Sequence, residues 1–189
     1  EGNYTGLLIS GNGYQSTYEN IQMWYPGVGI NFSTSIHVTD EFFERIKILG
    51  ATTGIKIDGD DVRGNVFGQI SIIHTRTTAA TGIDIDNGDQ NTFSDTVVWY
   101  DGDGAFVPIK LSWLATNNMF NGGYIEGTIS DAGSGNSMGF FSIDRSAGNY
   151  SVGWNDTYSR ELFQVGTSNL VPDGKFDAWS GTAPIQFYG

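Results

Sequence analysis

The chain has 189 residues, enough for one domain with its own core, and no cysteine, which excludes disulfide frameworks, thiol nucleophiles and thiolate metal sites. With 9 basic against 21 acidic residues the formal charge is -12, a field that repels nucleic-acid phosphates and anionic membrane surfaces. Two histidines are too few for an imidazole-built zinc centre, and no apolar run reaches the ~20 residues that membrane insertion needs.

Glu1-Gly2-Asn3 opens without a basic and then apolar signal pattern, so the chain is expected to begin within a longer protein. Glycine, at 27 residues, is about twice its ~7 % average, while 14 % aromatic content excludes a disordered low-complexity chain. From Gly6 onward one pattern returns: glycine, apolar, any, apolar, a polar turn, then an aromatic followed by apolar residues at +3 and +5. The leading positions are Gly6, Gly29, Gly54, Gly82, Pro108 and Gly139, spaced by 23 to 31 residues.

The first strand of each copy carries the inward pairs Leu7/Ile9, Ile30/Phe32, Ile55/Ile57, Ile83/Ile85 and Ile109/Leu111, with a degenerate Phe140/Ser142 in the sixth. The aromatics Tyr18, Phe43, Phe67, Phe93, Phe120 and Tyr150 lie 11 to 14 residues beyond their leaders. Five of them precede the inward pairs Ile21/Met23, Ile46/Ile48, Ile70/Ile72, Thr96/Val98 and Gly123/Ile125. Asn65, Asn91, Asn118 and Asn149 stand just before aromatics, where their amides can bond to backbone, to one another, or simply serve a turn. The near-duplicates GIKIDGDDVRGNVF and GIDIDNGDQNTF favour stacked equivalent coils over a β-sandwich, which needs no such equivalence. The predicted fold is therefore all-β: a right-handed single-stranded parallel β-helix of about six coils over residues 1–157. Residues 158–189 form a C-terminal cap or linker.

The opposite strand phase names the surface. Two after each leader stand Leu8, Asn31, Lys56, Asp84 and Lys110, which puts Asp84 between two lysines. Four after each leader, Asp58 and Asp86 fall on neighbouring coils, where two carboxylates diverge into solvent, act as a catalytic pair, or share a Ca²⁺ ion with Asp60. Asp61 and Asp89 in the adjoining turns add oxygen ligands. Six beyond the aromatic, Trp24, Leu49, Ile73, Trp99 and Glu126 form an outward apolar row. Such a row suits a homotrimer interface, a sugar-binding stripe, or burial under a loop. In the sugar reading Trp24, Trp99 and Tyr100 bind carbohydrate and Asp103 holds hydroxyls. The candidate catalytic carboxylates are Asp58 with Asp86, or Asp101 with Glu126. Trp113, Trp154 and Trp179 lie outside the repeated pairs and are expected to cover the core ends, while His37 and His74 have no partner in a nucleophile motif.

The repeated coils, polar stacked turns and acidic charge, together with the segment SNLVPDGKFDAWSGTAP, resemble bacteriophage tail spikes and tail fibres with parallel β-helix shafts. The segment itself looks like the opening strand of a carbohydrate-binding β-sandwich. The resemblance implies an extracellular virion tail component, a homotrimer, that recognises and in many cases depolymerises bacterial surface polysaccharide. A non-viral β-helical polysaccharide hydrolase or lyase and a purely structural shaft are the alternatives. The polygalacturonase signature is absent: Asp60-Asp61 and Arg45-Ile46-Lys47 stand in reversed order without Gly-His-Gly. Arg63 is the one candidate for a lyase base.

Overall fold

The computed structural model describes residues 4–34, 36–75, 79–101, 104–144, 149–156 and 164–165, and these hold strands and turns with no helix. The side chains of Asp60 and of residues from 140 onward lie outside the described set. The first coil carries β1 (Thr5–Ile9), β2 (Gly13–Tyr14), β3 (Thr17–Glu19) and β4 (Gln22–Trp24). The second carries β5 (Val28–Phe32), β6 (His37–Thr39) and β7 (Phe42–Leu49). The next three have two long strands each: β8 (Thr53–Arg63) and β9 (Val66–His74), β10 (Ala80–Asp89) and β11 (Thr92–Tyr100), β12 (Phe106–Thr116) and β13 (Met119–Glu126). They stack as two parallel sheets, β1-β5-β8-β10-β12 and β3-β7-β9-β11-β13, a β-solenoid of about five turns.

Strand alternation and parallel pairing convert the repeat into columns. Leu7, Ile30, Ile55, Ile83 and Ile109 stand directly in register, and so do Ile9, Phe32, Ile57, Ile85 and Leu111. On the second sheet Met23, Ile48, Ile72, Val98 and Ile125 align behind the aromatics. Tyr18, Phe43, Phe67, Phe93 and Phe120 stack face to face with centroids 4.5–4.8 Å apart and planes within 9°. The ring spacing matches the ~4.7–4.9 Å separation of hydrogen-bonded strands, so backbone pairing itself sets the stack. Each stacked pair adds ~0.5–1.5 kcal/mol beyond its buried area.

The leading glycines are steric. A Cβ on Gly54 would lie 2.5 Å from Gly82 O and 2.7 Å from Ile72 Cγ2, because the two sheets converge there.

At the corner ahead of the rings, Gln15, Asp40, Gly64, Gln90, Asn117 and Gly135 all take positive φ between 54° and 69°. The residue that follows turns its side chain inward. Asn65, Asn91, Asn118 and Asn136 are wholly buried there and bond to one another: Asn65 Nδ2 donates to Asn91 Oδ1 at 2.9 Å, Asn91 Nδ2 to Asn118 Oδ1 at 3.1 Å, and Asn118 Nδ2 to Asn136 Oδ1 at 3.2 Å. Each Oδ1 also accepts the backbone N–H of the preceding rung, and each second Nδ2 proton reaches a carbonyl of Val38, Val62, Gly88 or Ala115. Of the expectations for these amides, mutual bonding is what forms.

The sixth copy departs from the expected pattern. Phe120 pairs with Met138 and Asn121 with Gly139, so β15 (Ser137–Asp144) belongs to the aromatic sheet and Gly139 is not a leader. The leading strand of this copy is β14 (Ser130–Asp131), two residues opposite Lys110 and Leu111. Asn136, in place of Asn149, is the fourth rung. Parallel stacking then stops, because β16 (Asn149–Asp156) runs antiparallel to β15 with Tyr150 opposite Ile143, and β17 (Gln164–Val165) pairs antiparallel to β16. The cap or linker at 158–189 lies otherwise outside the described residues.

Glu41 occupies the asparagine position of the second coil. It is 1 % exposed, and neither carboxyl oxygen has a hydrogen-bond partner among the described residues. Replacing Glu41 by Asn extends the ladder by one rung and is expected to raise the melting midpoint by about 2 to 8 °C. Asn91→Ala strips partners from Asn65, Val62 and Asn118 and is expected to lower it by about 6 to 12 °C, the effect of ~3 kcal/mol in a chain of this size. Differential scanning calorimetry of both variants checks the pair.

Candidate functional site

Two outward faces carry the chemistry-bearing side chains. On the aromatic sheet, Trp24, Leu49, Ile73 and Trp99 are in register and alternate with the buried Met23, Ile48, Ile72 and Val98. Trp24 is 54 % and Trp99 36 % exposed, with Leu49 and Ile73 half-buried between them. Trp24 and Trp99 stand three coils apart, ~14 Å at the usual strand spacing.

The row does not continue outward at its expected fifth member. Glu126 is 3 % exposed, and Tyr124 Oη, two residues before it on β13, donates to its Oε2 at 3.4 Å. Asp101 is exposed beyond Trp99, and its backbone N–H donates to His74 O. Tyr100 is engaged at the corner, stacked on His74 at 5.3 Å and Phe106 at 5.0 Å, with its hydroxyl donating to Gly104 O at 2.6 Å. His74 is 1 % exposed and donates through Nδ1 to Ala51 O, a structural role. Asp103 lies outside the described residues.

On the leading sheet, Leu8, Asn31, Lys56, Asp84 and Lys110 align as expected, but Asp84 is held by one lysine rather than two. Lys110 Nζ donates to Asp84 Oδ1 at 3.0 Å and lies 3.6 Å from Asp86, while Lys56 turns to Asp58 at 3.6 Å. The hydrogen bond to Asp84 holds the Lys110 ammonium above its usual 10.5, with Asp86 adding to the effect.

Asp58 and Asp86 are not at one height. A bulge at Asp86 places Asp58 opposite Asn87, and each of the two carboxylates has its own ammonium. Among the described residues no group of three His, Asp or Glu side chains could hold a metal ion, and the Asp60 side chain is not among them. No helix of the described chain is long and apolar enough to cross a membrane.

Two features were not legible in the sequence. His37 Nδ1 donates to Asp61 Oδ2 at 2.6 Å, and Arg63 Nε donates to Asp61 Oδ1 at 2.9 Å. The partners of His37 come from the next coil, 24 residues on, so no local motif marks them. Trp113 was expected over a core end and instead stands 74 % exposed on β12. Trp154 and Trp179 lie outside the described side chains.

Comparison with family models, with curated proteins and with solved structures found no match.

The hydrogen bond from His37 is the main cause holding the Asp61 carboxyl below its usual 3.8, opposed by partial burial and assisted by Arg63. A carboxyl lowered in the folded state contributes stability that is present above the unfolded value of ~3.9 and lost as pH falls through the folded midpoint. Carbon-detected NMR titration is expected to place the Asp61 midpoint below 3.8 in the native chain and higher in His37→Ala.

Proposed function

We propose that this chain is a segment of an extracellular β-solenoid shaft of the bacteriophage tail-spike or tail-fibre kind, homotrimeric in its assembly, that recognises bacterial surface polysaccharide. The carrying observation is the outward row bounded by Trp24 and Trp99, a lengthwise stripe of exposed indole and aliphatic surface that stabilises no interior. An extended polymer suits a binding surface that runs across successive coils, because each coil offers an equivalent step. The acidic chain disfavours phosphate-rich ligands.

Binding fits this surface better than cleavage. Glycosidic hydrolysis needs two carboxyl groups free to flank one bond. Asp58 and Asp86 each face a lysine, and Glu126 is buried against the Tyr124 hydroxyl. The aliphatic middle of the row, Leu49 and Ile73, favours a second reading in which the same stripe is where subunits of the homotrimer meet.

Titration calorimetry with purified capsular and O-antigen polysaccharides, alongside analytical ultracentrifugation, separates the two. The Trp24→Ala, Trp99→Ala double variant is expected to bind at least ~10-fold more weakly, a loss of ~1.4 kcal/mol, with unchanged sedimentation. A variant that falls apart into smaller species while the separated chains still bind glycan would assign the row to the subunit interface. Absence of binding by the native chain to every such polysaccharide would remove the glycan reading.

A further inference from the structure

Trp113 is the most exposed large apolar side chain among the described residues, at 74 %. It is displayed by a departure from the coil register. Ile85 pairs with Leu111 and Asn87 with Leu114, so β12 inserts Ser112 and Trp113 where β10 has Asp86 alone. Strand alternation fails across the insertion: Trp113 and Leu114 both face solvent before Ala115 returns to the core at 0 % exposure. Bulges of this kind re-aim side chains and recur beside functional sites.

The bulge is braced. Ser112 Oγ donates to Asp86 O and accepts from Leu114 N at 3.2 Å, which fixes the backbone on both sides of the indole. Held this way, an exposed tryptophan contributes nothing to the interior, yet its side chain is presented from a rigid strand.

Its surroundings select the occupant. The register sets the Ser112–Trp113 insertion across from Asp86, and Asp86 and Asp84 are joined to Lys110 by ion pairs of 3.6 and 3.0 Å, so the strand positions beside Trp113 carry donors and acceptors of both signs. The core of a protein interface is depleted of charge, whereas a sugar ring offers an apolar C–H face for stacking and hydroxyls for both kinds of polar partner. Two carboxylates against one ammonium disfavour an acidic sugar.

We propose that Trp113, Lys110 and Asp86 form a second sugar subsite, separate from the Trp24–Trp99 row and on the other sheet, that takes one neutral hexose-type ring by stacking. The subsite rests on the glycan reading for its biological meaning, but its chemistry is tested apart from it.

The test is fluorine NMR of the full chain labelled with 5-fluorotryptophan, each resonance assigned by single Trp→Phe substitution, titrated with methyl glucosides, galactosides and N-acetylglucosaminides. The expected result is a saturable shift of the Trp113 resonance with at least one glycoside, with affinity about fivefold weaker in Asp86→Ala, the loss of one net hydrogen bond. Movement of Trp24 and Trp99 without Trp113 would overturn the subsite and leave the row standing. Movement of Trp113 alone would uphold the subsite and count against the row. A Trp113 resonance that responds to no glycoside, or only to protein concentration, would overturn the proposal, the latter making this face a subunit contact.

Discussion

Parallel pairing that carries one register from coil to coil is the constraint on which the rest of the molecule depends. Once Ile30, Ile55, Ile83 and Ile109 stand in line, the positions flanking them in each strand stand in line too, and the inward columns become core from coil to coil until a bulge shifts the register. The ring stack follows without a further cause, because strands at their usual spacing hold aromatic planes near van der Waals contact. The same register makes the leading glycines necessary, since Met23, Ile48, Ile72 and Val98 of the aromatic sheet reach the backbone at Gly6, Gly29, Gly54 and Gly82 in the first four coils. A one-residue slip would reverse every side chain and place the isoleucines in water.

The buried asparagines hold that register in place at the corner. Hydrophobic columns tolerate small displacements, whereas an amide whose donors and acceptor are all engaged has one height at which it fits. The ladder ends differently at its two sides. Asn136 finds Asp131 Oδ1 as a further acceptor, while Glu41 brings a carboxyl to a position built for an amide and leaves its oxygens without donors among the described residues. A carboxylate lacks the N–H groups that the next rung and the corner carbonyls call for.

The surface follows a different logic from the interior. Along the leading sheet, charges that one register would set in a uniform row are sorted by side-chain reach into local pairs, Lys56 with Asp58 and Lys110 with Asp84 and Asp86. Paired in this way at the surface and partly solvated, they contribute little stability each. Apolar surface is concentrated elsewhere, in the Trp24–Trp99 row and at the braced bulge of β12. The proposed glycan contacts therefore lie where indole is exposed, by the coil repeat at Trp24 and Trp99 and by the bulge of β12 at Trp113.

The sequence by itself determined the solenoid, because strand periodicity of two and a coil period near 26 residues leave few other ways to bury Ile55/Ile57 and Ile83/Ile85 together. It determined the five aromatic and isoleucine columns and the outward row for the same reason: in-register stacking makes equivalence in sequence into adjacency in space. Tertiary structure alone decided where that equivalence breaks. A bulge at Asp86 shifts Asp58 opposite Asn87, a second in β12 turns Trp113 outward, Glu126 is buried, and Asn136 takes the rung that Asn149 was expected to fill. The pairing of His37 with Asp61 depends on what the next coil presents, 24 residues away, which no local pattern encodes, and the coil repeat gives no sign that β16 turns back antiparallel on β15.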